Sequence, residues 1–471
     1  MRSILSAVVK LAAVASLLVP AAVAQNQGGG NQGGANQGGG NQGNQPPGGI
    51  LISPEGVVAG ATIVPQPGRL QQKRLRALAS RYLSAEINTV SAMRMVSLVR
   101  LEEECRRRLD AEQPLPTEIL YLAGLTRVEY VFLDPESSDL VIAGPAEGFG
   151  TTDNGRVVGT ESGRPVLTLT DLLVMLRLKN AHNTIGCSFD PDPDRLARAQ
   201  AWLQSNSDPV TVEVAKARFL EVANILGMWN VSIFGVPPSS QTAASFVEAD
   251  YQLKRLTLGL DSPRVRGFRS YLAMATIYGN MMRRWWFTAR YESLEASPDE
   301  TAFHMTGPRL QLMSQDELVD AAGNRKDAPD STASNEKFTR QFNEKMEELC
   351  ERVPSMAVLQ NQFDLAVAAA LIRTYRLAER IDWTADLFLD DQRLTLHQYS
   401  VAEQVPSQVN VRFTAGQLMI GLVGGGITMV PASVVNRDRL TIRDDLKMPA
   451  MNAEPNSWWW DVDVQKADLQ K

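Results

Sequence analysis

TRVEYVFLDPESSDLVIA (126–143) decides the fold class of this chain. Residues 126–134 and 139–143 are rich in Val, Ile, Leu and aromatics, and Asp134-Pro135-Glu136-Ser137-Ser138 between them supplies turn chemistry. Two such runs around a turn predict a β-hairpin, and hence antiparallel pairing. On the N-terminal side, 71–83 and 96–113 are helical in pattern. The second places Leu98, Leu101, Cys105 and Leu109 on one face, and its pairs Glu102/Arg106, Glu103/Arg107 and Glu104/Arg108 stand four apart on what reads as a solvated face. On the other side, 157–159, 166–169, 184–189 and 230–235 read as strands, and 171–179, 210–226 and 240–258 as helices. In RRWWFTARY (283–291), Trp285, Phe287, Ala289 and Tyr291 alternate with Trp286, Thr288 and Arg290, as in a strand with one buried face. Segments 302–306 and 309–313 are expected to pair with it. Helices with hairpins interspersed predict an α+β fold: mixed helices and antiparallel strands in two or three modules, not a doubly wound parallel sheet.

The 471 residues include 53 acidic and 47 basic side chains, a net charge of −6. A composition 44% hydrophobic and 21% charged is globular, and a pI near 5.4 argues against nucleic acid as a partner, because phosphate binding needs clustered Lys and Arg. Residues 1–24 have the form of a secretory signal: Arg2 and Lys10, a nine-residue apolar core at 11–19, and Ala22-Val23-Ala24. That core is far short of the roughly 20 residues of a membrane span. Cleavage before Gln25 would leave a mature charge of −8, with no transmembrane span expected in the mature chain. Residues 25–49 repeat NQGGG-like units and hold 11 Gly, 5 Asn and 6 Gln, which cannot fill a core; they read as a flexible tether. The expected organisation continues with an N-terminal α+β module (50–235), a middle α+β module (236–320), a linker (321–334, AAGNRKDAPDSTAS), a helical segment (335–382), a β-rich module (383–450) and a Trp-containing tail (451–471). Within the helical segment, 364–372 is almost uninterrupted apolar and reads as a buried helix. Within the β-rich module, 418–435 reads as a hairpin turning at Gly424-Gly425-Gly426.

The chemistry is mostly exclusion. The glycine-rich loop GPAEGFGTTDNG (144–155) lacks the Lys-Ser/Thr of a phosphate loop and the order of a dinucleotide fingerprint. His182, His304 and His397 are far apart, with no H-E-x-x-H, and there is no C-x-x-C. No cofactor and no metal site is expected. Asp190, Asp192 and Asp194 alternate, but the Gly and Glu of a calcium loop are absent, so Asp192 reads as a helix N-cap ahead of Pro193. Cys105, Cys187 and Cys350 read as buried free thiols, with one disulfide plus a thiol as the alternative. Two carboxylates are candidates for acid–base catalysis, Glu147 in the glycine-rich loop and Asp250 in the long helix; turn capping and an i,i+4 pair with Lys254 are the plainer readings. Trp458, Trp459 and Trp460 are candidate binding residues: they either dock on the body or form an exposed patch for a partner.

Five stretches together resemble a family: LAGLTRVEYVFLDPESSDLVIAGPAEGFG (122–150), SGRPVLTLTDLL (162–173), VEADYQLKRLTLGL (247–260), RRWWFTARY (283–291) and LQNQFDLAVAAALI (359–372). Over roughly 70–380 the chain is similar to a family of secreted proteins frequent in planctomycete bacteria, known only as a domain of unknown function. The resemblance implies secretion and carries no activity, cofactor or catalytic residue. The resulting expectation is an exported, periplasmic or cell-surface protein of the envelope, non-catalytic, that binds another protein or a wall polymer. The alternative is a periplasmic hydrolase of envelope polymers acting through acidic residues.

Overall fold

The computed structural model describes residues 48–52, 58–62, 69–206, 211–275, 281–319, 325–327, 331–414, 417–422, 424–450 and 457–462. The expected signal (1–24) and all of the expected tether except Gly48 and Gly49 lie outside the described residues. Those two glycines open strand Gly48–Ile52, which pairs antiparallel with Val58–Thr62.

Two seven-stranded sheets organise the described residues, and the fold is α+β with mostly antiparallel pairing. The first sheet runs Thr441–Ile442, Glu295–Ala296, Ala302–His304, Tyr130–Asp134, Asp139–Ala146, Ser91–Ser97, Trp459–Asp461. The expected hairpin lies at its centre, with Phe132 opposite Val141. The second runs Arg325–Asp327, Arg309–Val319, Met281–Arg290, Gly424–Met429, Ile185–Asp190, Met228–Phe234, Gln404–Pro406. The alternation read in 283–291 holds: Trp285 and Phe287 are fully buried. Each sheet takes strands from both sides of the boundaries expected at 235/236 and 382/383.

The helix Pro354–Thr374 lies in the middle of the core. It is 21 residues long and apolar enough to cross a membrane, yet 94% of its most apolar window is buried inside the body. A helix apolar all round must be surrounded, and its few polar groups must be paired. Asp364 accepts from Arg127 Nε (2.9 Å), Arg309 Nε (2.8 Å) and Tyr291 OH (2.9 Å), tying the helix to segments that border both sheets. Gln360 accepts from Arg164 at 2.7 Å, and Gln362 donates to Asp171 at 3.1 Å. The long helix Gln241–Leu258 packs beside it; Ser240 caps its start by accepting from Ala243 N, and Gly259, at φ 71°, ends it in the left-handed region that favours glycine.

Several elements differ from expectation. The run expected as one helix at 96–113 is strand to Ser97, then helix Leu98–Asp110 capped by the Ser97 hydroxyl. Glu102 is not on a solvated face: it is 4% exposed and accepts from Trp383 Nε1 (2.6 Å), Leu387 N (2.7 Å) and Phe388 N (3.0 Å). Ala302–His304 joins the first sheet against Tyr130–Asp134 instead of pairing with 283–291, whereas Arg309–Val319 does pair there. Within the expected linker, Arg325–Asp327 forms an edge strand and a helix starts at Ala333. The triple glycine is an interior strand, not a turn. Gly424–Met429 lies between Met281–Arg290 and Ile185–Asp190, so close that a Cβ at Gly425 would fall 1.8 Å from the Trp285 carbonyl oxygen. The hairpin nearby is Val409–Thr414 with Gln417–Leu422.

Candidate functional site

A cleft of about 420 Å³ opens where six segments of the chain meet. One wall is the loop between the paired strands Phe149–Thr151 and Val157–Gly159, bearing Asn154 and Arg156. The opposite wall is the first two turns of Gln241–Leu258, with Gln241, Ser245 and Glu248. Thr168, Asp171 and Asn361 form the polar part of the interior, from the start of helix Leu169–Leu176 and from the central helix. His397 and Tyr399 stand at the rim, ring edge to ring face, with centroids 5.1 Å apart. The size lies within the roughly 300–1,000 Å³ of small-ligand sites.

Asp171 holds the inner wall together. It accepts from Thr242 Oγ1 (2.7 Å), Thr168 Oγ1 (2.8 Å) and Gln362 Nε2 (3.1 Å), so one carboxylate joins three helices. Its own N–H donates back to Thr168 Oγ1 at 3.0 Å, closing a reciprocal cap. Burial pushes its carboxyl above the usual range, against the pull of these donors. Glu248 is likewise raised by burial and is held by an ion pair with Arg156 across the cleft. Tyr399 OH donates to Gln241 Oε1 at 3.2 Å, which fixes the rim.

The candidates from sequence lie elsewhere. Glu147 is 4% exposed; it accepts from Glu161 N (2.5 Å), Ser162 N (3.0 Å) and the Ser162 hydroxyl, and so organises the turn around Gly163. It borders a separate cleft of about 350 Å³ near Arg127 and Arg164. Asp250 is fully buried, with Lys254 Nζ 2.5 Å from Oδ2; burial raises its carboxyl while Lys254 counters. Trp459–Asp461 is an edge strand on Ser91–Ser97. Trp460 is buried, and Arg94 lies over the Trp459 ring at 4.7 Å. Asp192 accepts from Arg195 N at 2.9 Å, as an N-cap does. All three cysteines are free and buried, and burial pushes the Cys105 thiol up to about 12. Among the described residues no group of three His, Cys, Asp or Glu could hold a metal.

Sequence reasoning thus missed Arg156, Asp171, Asn361, His397 and Tyr399 as neighbours. The glycine-rich loop and the long helix carry two of the walls, but nothing in their spacing says that they face each other.

Residues 187–271 match the model of a family described as a protein of unknown function, DUF1598. A DUF1598 domain of unknown function therefore occupies this segment, from strand Ile185–Asp190 through the long helix. It contributes the Glu248 wall, while Arg156, Asp171, Asn361, His397 and Tyr399 lie outside the match. No curated protein and no solved structure matches the chain.

Proposed function

We propose that the protein is an exported, non-catalytic component of the cell envelope that binds another protein or a wall polymer through the cleft lined by Arg156, Glu248, His397 and Tyr399. Export rests on the signal-like residues 1–24 and on the resemblance to secreted planctomycete proteins. One observation carries the binding reading: the cleft's carboxylates are already engaged. Asp171 serves three side-chain donors and Glu248 serves Arg156, while the amides, hydroxyls and rim aromatics present a surface for a polar ligand. Envelope fractions, incubated with the exported chain and spun down, are expected to carry it with them without releasing soluble fragments. Replacing His397 and Tyr399 by Ala should reduce pelleting at least fivefold. Equal pelleting of wild type and variant would remove the cleft from the account.

One feature supports the alternative, a hydrolase of envelope polymers: burial raises both Glu248 and Asp171 within a single cleft. Fragment release that disappears in Glu248→Gln would favour it.

A further inference from the structure

The smaller cleft, of about 350 Å³, is lined by Arg127 and Arg164 together with Ser91, Val90, Pro145 and Ala146, and it is independent of the binding reading just given. The charges around it are unevenly shared. Asp364 is fully buried; Arg127 Nε takes one of its oxygens at 2.9 Å, and Arg309 Nε and Tyr291 OH take the other at 2.8 and 2.9 Å. Arg164 has no such partner. Its Nη2 donates to the neutral Gln360 Oε1 at 2.7 Å, and among the described residues no carboxylate pairs with it. Burial and the adjacent Arg127 cation lower its guanidinium, and the pull of Glu347 and Asp364 does not offset them. Both arginines reach solvent: the Arg127 side chain is 13% exposed and Arg164 is half-buried. No guanidinium nitrogen of either is among the sealed, unpartnered side-chain atoms, so the donors that Asp364 and Gln360 leave over are open on the cleft they line. The carboxylates of the cleft wall are occupied: Glu147 accepts from two backbone N–H groups and the Ser162 hydroxyl, and Glu161 pairs with Arg76. One unbalanced guanidinium selects a single negative charge, and a planar carboxylate matches its donors. Val90, 62% exposed, with Pro145 and Ala146 offers apolar surface to the body that carries that carboxylate.

We propose that this cleft binds an organic monocarboxylate, whose carboxylate accepts from Arg164 beside Arg127 and whose apolar body lies along Val90, Pro145 and Ala146. The test is titration of the protein with hexanoate, with hexanamide as its neutral counterpart and inorganic phosphate as the compact, more highly charged anion, each followed by ligand-observed NMR. Hexanoate should bind, and hexanamide and phosphate should bind about tenfold more weakly, the worth of one charge-assisted contact. Arg164→Gln should lose the same factor, about tenfold, for hexanoate. Arg164 also holds Gln360, so a second variant keeps the test valid if the first fails to fold. Val90→Glu changes an exposed residue and adds a negative charge to the cleft; it should weaken hexanoate about threefold and leave hexanamide unchanged. No binding of hexanoate, equal binding of hexanamide, preference for phosphate, or unchanged hexanoate affinity in a folded variant would overturn the proposal.

Discussion

Glu102 sits inside the most charged run of the sequence, yet its carboxylate caps the short helix Asp386–Leu389 and takes the Trp383 indole N–H. Removing it strands three donors in a buried place, so Glu102→Ala should cost about 2–4 kcal/mol of stability. Chemical denaturation followed by Trp fluorescence checks this; a change below about 0.5 kcal/mol would contradict it. The run EEECRRR announces a helix through its i,i+4 pairs, but which Glu turns inward depends on a partner nearly 300 residues away, and no local pattern encodes that. Asp171 offers a second test. Its folded carboxyl is raised by burial, so the native state holds its proton to higher pH than the unfolded chain does. The sign follows: ionisation costs native stability, a penalty absent below the unfolded value near 4 that grows as pH rises through the folded value. Asp171→Asn should therefore flatten the decline in stability that begins above the unfolded value near 4. An identical pH slope in both proteins would contradict this origin.

Strand Trp459–Asp461 completes one edge of the first sheet, and a single side chain holds much of it. Arg94 is fully buried; it donates to Asp461 at 2.7 and 2.9 Å and to the carbonyls of Ile87, Ala123, Glu86 and Thr89. Asp461→Ala leaves a buried guanidinium short of acceptors, at a cost of about 2–4 kcal/mol. Backbone amides of Ser91–Ser97 should then exchange hydrogen faster while those of Asp139–Ala146 change little; equal protection in both proteins would show that the edge strand stands without the ion pair. At this scale the sequence was readable where local chemistry acts alone. The 126–143 hairpin, the Asp192 cap and the alternation in 283–291 all appear as expected. The triple glycine was misread because glycine marks a turn and a close strand approach equally well, and only the Trp285 carbonyl against Gly425 separates them.

The chain crosses between the sheets repeatedly: Met281–Arg290 lies in the second, Glu295–Ala296 and Ala302–His304 in the first, Arg309–Val319 in the second again. Residues after 382 supply both edge strands of the first sheet and an interior strand of the second. A chain ending at 382 should therefore show no cooperative thermal transition, and a sharp one would mean that the earlier residues fold alone. The cleft is a product of the same interleaving. Its walls come from the 150s, 160s, 240s, 360 region and 390s, so its contents were invisible to motif search, which reads neighbours in sequence. The most direct test of the account is amide hydrogen exchange on the protein with and without soluble envelope polymer. Binding at the cleft predicts added protection in 152–159, 241–248 and 396–400 and none along Ser91–Ser97. Protection confined to the Trp458–Trp460 edge, or none anywhere, would contradict it.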